Sequence, residues 1–189
     1  MRALALFAVL GLSATARADD PIYLHAELDP LTFANGGYGG QVGVRDPHLH
    51  GVRLAVASFS LHVPDPISQL GGNAKFDVDI RPSGAFYALY YPRPAGEDGF
   101  AFGASFRLLR IAYQRDDLPD MGTLVTEISP EAIVGYQWHP FHNELYLQPW
   151  LALGVTVWRN HDARVGDRVY AEPPVSPFFT VNIGWEQAL

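Results

Sequence analysis

The sequence predicts an all-β fold, an eight-stranded antiparallel up-and-down transmembrane β-barrel, and three observations carry that prediction. Several segments too long for ordinary strands alternate residue by residue between an apolar side and a polar or small one. After the N-terminus no apolar run reaches the ~18–20 residues of a membrane-spanning helix, although the chain is 48% hydrophobic and 13% aromatic. Turn-forming residues punctuate the alternation at hairpin spacing, drawing on a pool of Gly 18 and Pro 15.

The clearest alternation is residues 143–159, NELYLQPWLALGVTVWR. Leu145, Leu147, Pro149, Leu151, Leu153, Val155 and Val157 form one face, wholly apolar. Glu144, Tyr146, Gln148, Trp150, Ala152, Gly154 and Thr156 form the other. A period of two is a β-strand with one oily side. Its length exceeds the ~5–6 residues of an ordinary strand and suits the ~9–11 of a tilted transmembrane strand.

The N-terminus, MRALALFAVLGLSATARADD, has a basic residue, a short apolar core and Ala16-Arg17-Ala18 before Asp19. This is the pattern of an export signal over residues 1–18, leaving a barrel domain over 19–189. With Cys 0, disulfide scaffolds, thiol catalysis and a lipid-modified cysteine are excluded. The net charge of −7 becomes more negative once Arg2 and Arg17 leave, which argues against nucleic acid as a partner.

The strands follow in order. Residues 22–30 place Ile22, Leu24, Ala26 and Leu28 against Tyr23, His25, Glu27 and Asp29, and the strand could continue to Phe33. Asn35-Gly36-Gly37 turns the chain. Residues 38–45 return with Val42 and Val44 out and Gln41 and Arg45 in. A third strand over 51–63 has blurred alternation and no assignable facing. Residues 74–91 alternate with Asp77, Asp79, Arg81, Tyr87 and Tyr91 on the inner side, and Pro82 and Gly84 predict a bulge or bend. Residues 100–114 put Phe100, Phe102, Phe106 and Leu108 out and Ser105 and Arg107 in. The apolar parity then shifts to Leu109, Ile111 and Tyr113, which predicts a second bulge. An exposed loop is expected over 115–122. Residues 123–138 put Ile128, Val134, Tyr136 and Trp138 out and Glu127, Ser129, Glu131 and Gln137 in. After the 143–159 strand and a long polar loop over 160–174, residues 175–186 close the chain. There Phe179, Val181, Ile183 and Trp185 face out and Thr180, Asn182 and Gly184 in. Short turns at 46–50, 92–98 and 139–143 oppose longer loops at 64–73, 115–122 and 160–174, with both termini on the short-turn side.

The closing stretch FFTVNIGWEQAL is similar to the terminal β-signal of Gram-negative outer-membrane barrels, although four residues follow Trp185 and Leu189 takes the final position. Tyr90, Tyr136, Trp138, Trp158 and Trp185 near strand ends resemble the interfacial aromatic girdles of such barrels. The mature chain as a whole resembles the small eight-stranded class with OmpA-like transmembrane domains. That resemblance implies an outer-membrane location, lipid as surroundings, and recognition by the barrel-assembly machinery through the last strand, Phe179 to Trp185. It implies no active-site residue.

An eight-stranded barrel has an interior just wide enough for side chains. The inward polar set is His25, Glu27, Asp29, Arg45, Arg53, Asp77, Asp79, Arg81, Arg107, Glu127 and Glu131. Acids and arginines at low dielectric must be paired or wetted, so the expectation is a salt-bridged plug; a narrow polar passage is the alternative. Ser58, Ser60 and His62 on the third strand are the candidates for a lipid-hydrolase reading, but their spacing is also that of ordinary polar residues on one strand face. No catalytic residue is expected from it.

The row His25-x-Glu27-x-Asp29 places three metal-ligand types on one side, but the pleat spaces them roughly 6–7 Å apart. His48, His50, His139, His142 and His161 fall in turns and loops without a dedicated ligand spacing. No metal or cofactor is expected. The Gly36-Gly37-x-Gly39-Gly40 run is not a phosphate loop, since no helix follows it. The expected role is non-enzymatic, in envelope structure or surface interaction. The rivals are a lipid-modifying barrel enzyme, a narrow channel, and a water-soluble lipocalin-like calyx, whose facing would be the reverse.

Overall fold

The computed structural model describes residues 21–68, 73, 75–141 and 143–189. The expected export signal over 1–18 and His142 lie outside them. The strands, in chain order, are β1 (Tyr23–Leu28), β2 (Tyr38–Arg45), β3 (Val52–Val63), β4 (Phe76–Tyr90), β5 (Gly99–Arg115), β6 (Leu118–Gln137), β7 (Leu145–Gly154), β8 (Trp158–Arg159), β9 (Arg164–Val165), β10 (Arg168–Val169) and β11 (Ser176–Ala188). The first seven and β11 close into an eight-stranded antiparallel barrel. Each pairs with its neighbours in the order of the chain, β5 with β6 included, and β11 seals the wall against β1 with Trp185 opposite Ala26. The other three are two-residue strands. β8 prolongs the β7 stave along β6, and β9 and β10 form a small hairpin.

The wall is lopsided. β1 and β2 have 6 and 8 residues, whereas β5 and β6 have 17 and 20. The first strand stops at Leu28 rather than running on to Phe33. Asp29 followed by Pro30 is a helix start: its Oδ1 accepts from the Leu31 N–H at 2.9 Å, and Pro30 opens the five-residue helix α1 (Pro30–Ala34). Gly36, at φ +71°, then takes the left-handed conformation that turns the chain into β2.

The facing of β4 also departs from the alternation expected over 74–91. A bulge between Arg81 and Gly84 shifts the pairing of β4 with β5. Above it Phe76, Val78 and Ile80 turn inward, so Asp77, Asp79 and Arg81 turn outward; below it Tyr87 and Leu89 face in and Phe86 out. The expected bulge near Leu109 is absent from β5, whose parity is unbroken, so Leu109, Ile111 and Tyr113 are buried. The sequence shift there reflects a change in which side of the wall is apolar. The third strand, whose facing the sequence left open, points Arg53, Ala55 and Phe59 inward and Val56, Ser58 and His62 outward.

Two expected loops are more ordered than expected. Residues 118–122 belong to β6, so β5 and β6 are joined by the two-residue turn Asp116-Asp117. The 160–174 loop folds back over the tall side. Ala163 and Val165 join Phe59, Phe76, Val78, Leu109, Ile111, Tyr113 and Val125 in an apolar core at the loop end. Arg115 clamps this cap: it holds Asp117 through two contacts of 2.9 Å and Asp167 at 2.7 Å. The hydrogen bonds from Arg115 pull the Asp117 carboxyl down to about 2. Since that value lies below the ordinary carboxylate range, the clamp contributes fully above that range and is lost only as pH falls toward about 2.

The barrel therefore has two levels of opposite polarity. At the turn end and middle, apolar side chains such as Val42, Val56, Phe106, Leu151 and Phe179 cover the outside while charged ones are buried. At the loop end the inside is apolar and the outside polar. On β5 and β6 the change comes just after the outward row Leu108–Ile128–Trp158, which is continuous across β5, β6 and β8. Trp138, Tyr136 and Trp185 mark the other edge of the apolar belt, and Trp158 marks this one.

Candidate functional site

The interior polar column is the candidate site, and Glu27 is its centre. Alternation along β1 aims Glu27 inward, and its residue is 3% exposed. One carboxylate oxygen accepts from Arg53 and from the Tyr146 hydroxyl at 2.6 Å; the other accepts from Gln41 and from Asn182 at 2.6 Å. Four donors from β2, β3, β7 and β11 thus converge on one β1 side chain. Arg53 also donates to Tyr146 at 3.0 Å and to Gln148 at 3.2 Å. A buried pair is tolerated when hydrogen bonds satisfy the remaining lone pairs and protons; both Glu27 oxygens are bonded twice, while the buried Arg53 Nε has no hydrogen bond.

Arg45 lies directly opposite Arg53 on the neighbouring strand. Like charges so placed repel. Here both guanidiniums lie over the Tyr91 ring, each 5.0 Å from its centroid, and Arg45 donates to the Arg93 carbonyl. Toward the turn end, Glu186 gathers His25 and His139, each at 3.5 Å. The 92–98 turn folds in to donate the Gly96 N–H to Glu186. Toward the loop end two more pairs continue the column. Arg107 lies 3.1 Å from Glu131, whose other oxygen accepts from Ser105 at 2.7 Å. Arg159 reaches Glu127 at 3.1 Å and also Glu172.

The packing leaves little room. The cavity beside Glu27, Asp29, Arg107, Trp150, Phe178 and Asn182 has a volume of about 30 Å³ open to water centres. A single water needs at least ~10–15 Å³ on that measure, so the space suits a couple of waters and no larger solute. Gly184 shows how tightly Tyr146 is held: a Cβ there would lie 2.2 Å from Tyr146 Cζ and 2.6 Å from its hydroxyl oxygen. Gly184→Ala is expected to push the ring off Glu27 and Arg53 and to cost about 1–3 kcal/mol, the usual range for overpacking. A urea titration of the vesicle-inserted barrel checks it; an unchanged midpoint would mean the ring has freedom that this packing denies.

Of the eleven inward residues expected, seven belong to the column: His25, Glu27, Arg45, Arg53, Arg107, Glu127 and Glu131. Asp29 is buried but serves as the cap of α1. Asp77, Asp79 and Arg81 are on the outer wall, because the β4 bulge reverses their facing. Glu186 was legible, since it shares the inward parity of Thr180, Asn182 and Gly184. Arg159 and Glu172 were not: the strand is interrupted between Gly154 and Trp158, and Glu172 is in a loop with no periodicity.

On the outer wall, His62 Nδ1 is 3.1 Å from Asp79 and 3.3 Å from Asp77. Ser58 is bonded instead to the Tyr38 hydroxyl at 3.2 Å. Ser58, Ser60 and His62 thus share a face, but His62 is engaged by carboxylates and has no hydrogen bond to either serine. The base-to-nucleophile contact that covalent catalysis requires is not formed among these three.

No protein-family model matches this sequence, and no curated protein matches it. Among solved structures the chain is similar to the crystal structure of Neisserial surface protein A, with a TM-score of 0.49 and 15% identity over 89% of this chain and 97% of that one. It is also similar to a major outer membrane protein from Thermus thermophilus, with a TM-score of 0.48 and 13% identity over 88% of this chain and 98% of that one.

Proposed function

We propose that this protein is an integral outer-membrane β-barrel of a Gram-negative envelope, closed to solutes, with a non-enzymatic structural or surface-presenting role. The observation that carries the reading is the inverted wall. A belt of exposed Phe, Leu and Val surrounds a level whose buried residues include Glu27, Arg53, Arg107 and Glu131. In water that arrangement would expose the apolar side and bury the charged one. In a bilayer it is the favourable order, since the closed sheet pairs the backbone and the belt meets hydrocarbon. It is also the reverse of a lipocalin-like calyx, whose apolar face lines the ligand cavity.

Three features support closure: the Glu27–Arg53 column across the middle, the 92–98 turn folded in at one end, and Ala163 and Val165 capping the other. Export through a cleaved signal and recognition of β11 by the assembly machinery complete the proposal. They rest on the sequence pattern of residues 1–18 and on the exposed Phe179, Ile183 and Trp185 of the sealing strand. Planar-bilayer recording of the purified barrel tests closure. A silent baseline is expected, and reproducible stepwise conductance would replace the plug with a pore.

A further inference from the structure

The β4 bulge puts two arginines where the column does not need them. Arg81 and Arg110 are direct cross-strand partners on the outer wall, and both are exposed. Directly opposed residues have Cα atoms roughly 4.5–5.5 Å apart, so the two guanidinium groups can reach a common point. The bulge itself is pinned from below, because the Arg110 N–H donates to Ser83 Oγ at 2.9 Å. Without that change of parity Arg81 would enter the lumen.

The charge between them is compensated only on the Arg81 side. Asp79 lies 3.3 Å from Arg81, but its other oxygen is taken by His62. Arg110 has no ion pair among the described residues. The other opposed arginine pair, Arg45 and Arg53, shares an aromatic ring, Tyr91, and has Glu27 against one member. Arg81 has Asp79 against it, but among the described residues no ring lies over either guanidinium and Arg110 has no carboxylate partner. Like charges directly opposite destabilise a sheet unless something negative joins them.

Their height says what that is. Leu108, the outward residue preceding Arg110 on β5, belongs to the belt-edge row with Ile128 and Trp158. Arg110 therefore occupies the first row beyond the apolar belt, next to Thr126. If the belt marks the hydrocarbon, this row is at headgroup depth. Paired guanidinium forks suit phosphate oxygens in geometry and charge. We propose that Arg81 and Arg110 together hold the phosphate of a lipid headgroup against the barrel wall. The proposal rests on the membrane reading above and adds a specific lipid-binding site to it.

The test uses the full mature barrel. Flotation with neutral phosphatidylcholine vesicles comes first, for the wild type, Arg110→Ala and Arg110→Lys. All three are expected to float. Native mass spectrometry then compares retention of dioleoyl phosphatidic acid with that of dioleoylglycerol, which differ only in the phosphate. The wild type is expected to retain the phosphatidic acid at least about tenfold better, Arg110→Ala to lose most of that preference, and Arg110→Lys to recover part of it. Equal retention of the two lipids, or an Arg110→Ala barrel that discriminates as well as the wild type, overturns the inference while the membrane reading stands. Inorganic phosphate that competes at the same concentration as the lipid overturns it in favour of a free-anion site. A wild-type barrel that fails to float removes the membrane reading and this inference with it.

Discussion

Arg53→Ala is expected to destabilise the barrel by about 3–5 kcal/mol, the range for removing one partner of a buried ion pair. Glu27 would keep Tyr146, Gln41 and Asn182 as donors but lose the only charged one among the described residues. Tyr91 would lose one of its two flanking guanidiniums. The wall between β3 and β7 would lose a tie as well, since Arg53 links both strands through Tyr146 and Gln148. Urea unfolding from lipid vesicles, followed by tryptophan fluorescence, measures the loss. The double variant Arg53→Met with Glu27→Gln is expected to recover a substantial part, because most of the penalty comes from the stranded carboxylate. A loss under about 1 kcal/mol for the single variant would mean that water entering from the adjacent cavity compensates the stranded Glu27 carboxylate.

The second large effect is expected on the other side of the same wall. Leu151 is an outward residue of β7 near the middle of the apolar belt, flanked by Val134 and Phe179 on its neighbours. Leu151→Arg is expected to cost about 2–4 kcal/mol, as for a cation at the bilayer midplane, and the same substitution at Leu124, beyond the belt edge, about 0–1 kcal/mol. The comparison uses one residue type on two outward positions, so it reads depth rather than bulk. Equal costs at both positions would show that the wall meets the same surroundings at both heights.

The fold was legible in the sequence wherever one parity ran unbroken. The 143–154 stretch, the 123–137 stretch and the closing strand gave their faces residue by residue, because a polar interior against an apolar surround writes a clean period of two. What failed, failed for identifiable reasons. Pro82 and Gly84 announced a bulge, but a bulge does not announce which side of it keeps the facing, and Asp77, Asp79 and Arg81 were assigned to the lumen. On β5 the apolar residues changed parity with no bulge at all, because the surround changed and the backbone did not. Helix α1 was hidden by its brevity, although Asp29-Pro30 carried its start signal. The site was half visible: Glu27 and Arg53 were both named, but nothing in one dimension could say that Tyr146, Gln41 and Asn182 meet at the same carboxylate. Such convergence depends on the register between strands more than a hundred residues apart, and register is not written in any single strand.

The reversal of polarity near Leu108 and Arg110 gives this chain two opposite rules for tolerance to mutation. Below that height, on the proposed membrane reading, an outward serine in place of leucine trades away contact with hydrocarbon, and an inward serine meets polar company. Above it the consequences exchange: an inward serine at Leu109 or Ile111 opens a hole in an oily core, while an outward one is merely wetted. A scan of the wall with one polar residue should therefore draw two interleaved patterns that swap places along β4, β5 and β6. If the proposed membrane reading holds, the height at which they swap is a ruler for the bilayer, read from the protein's own side chains.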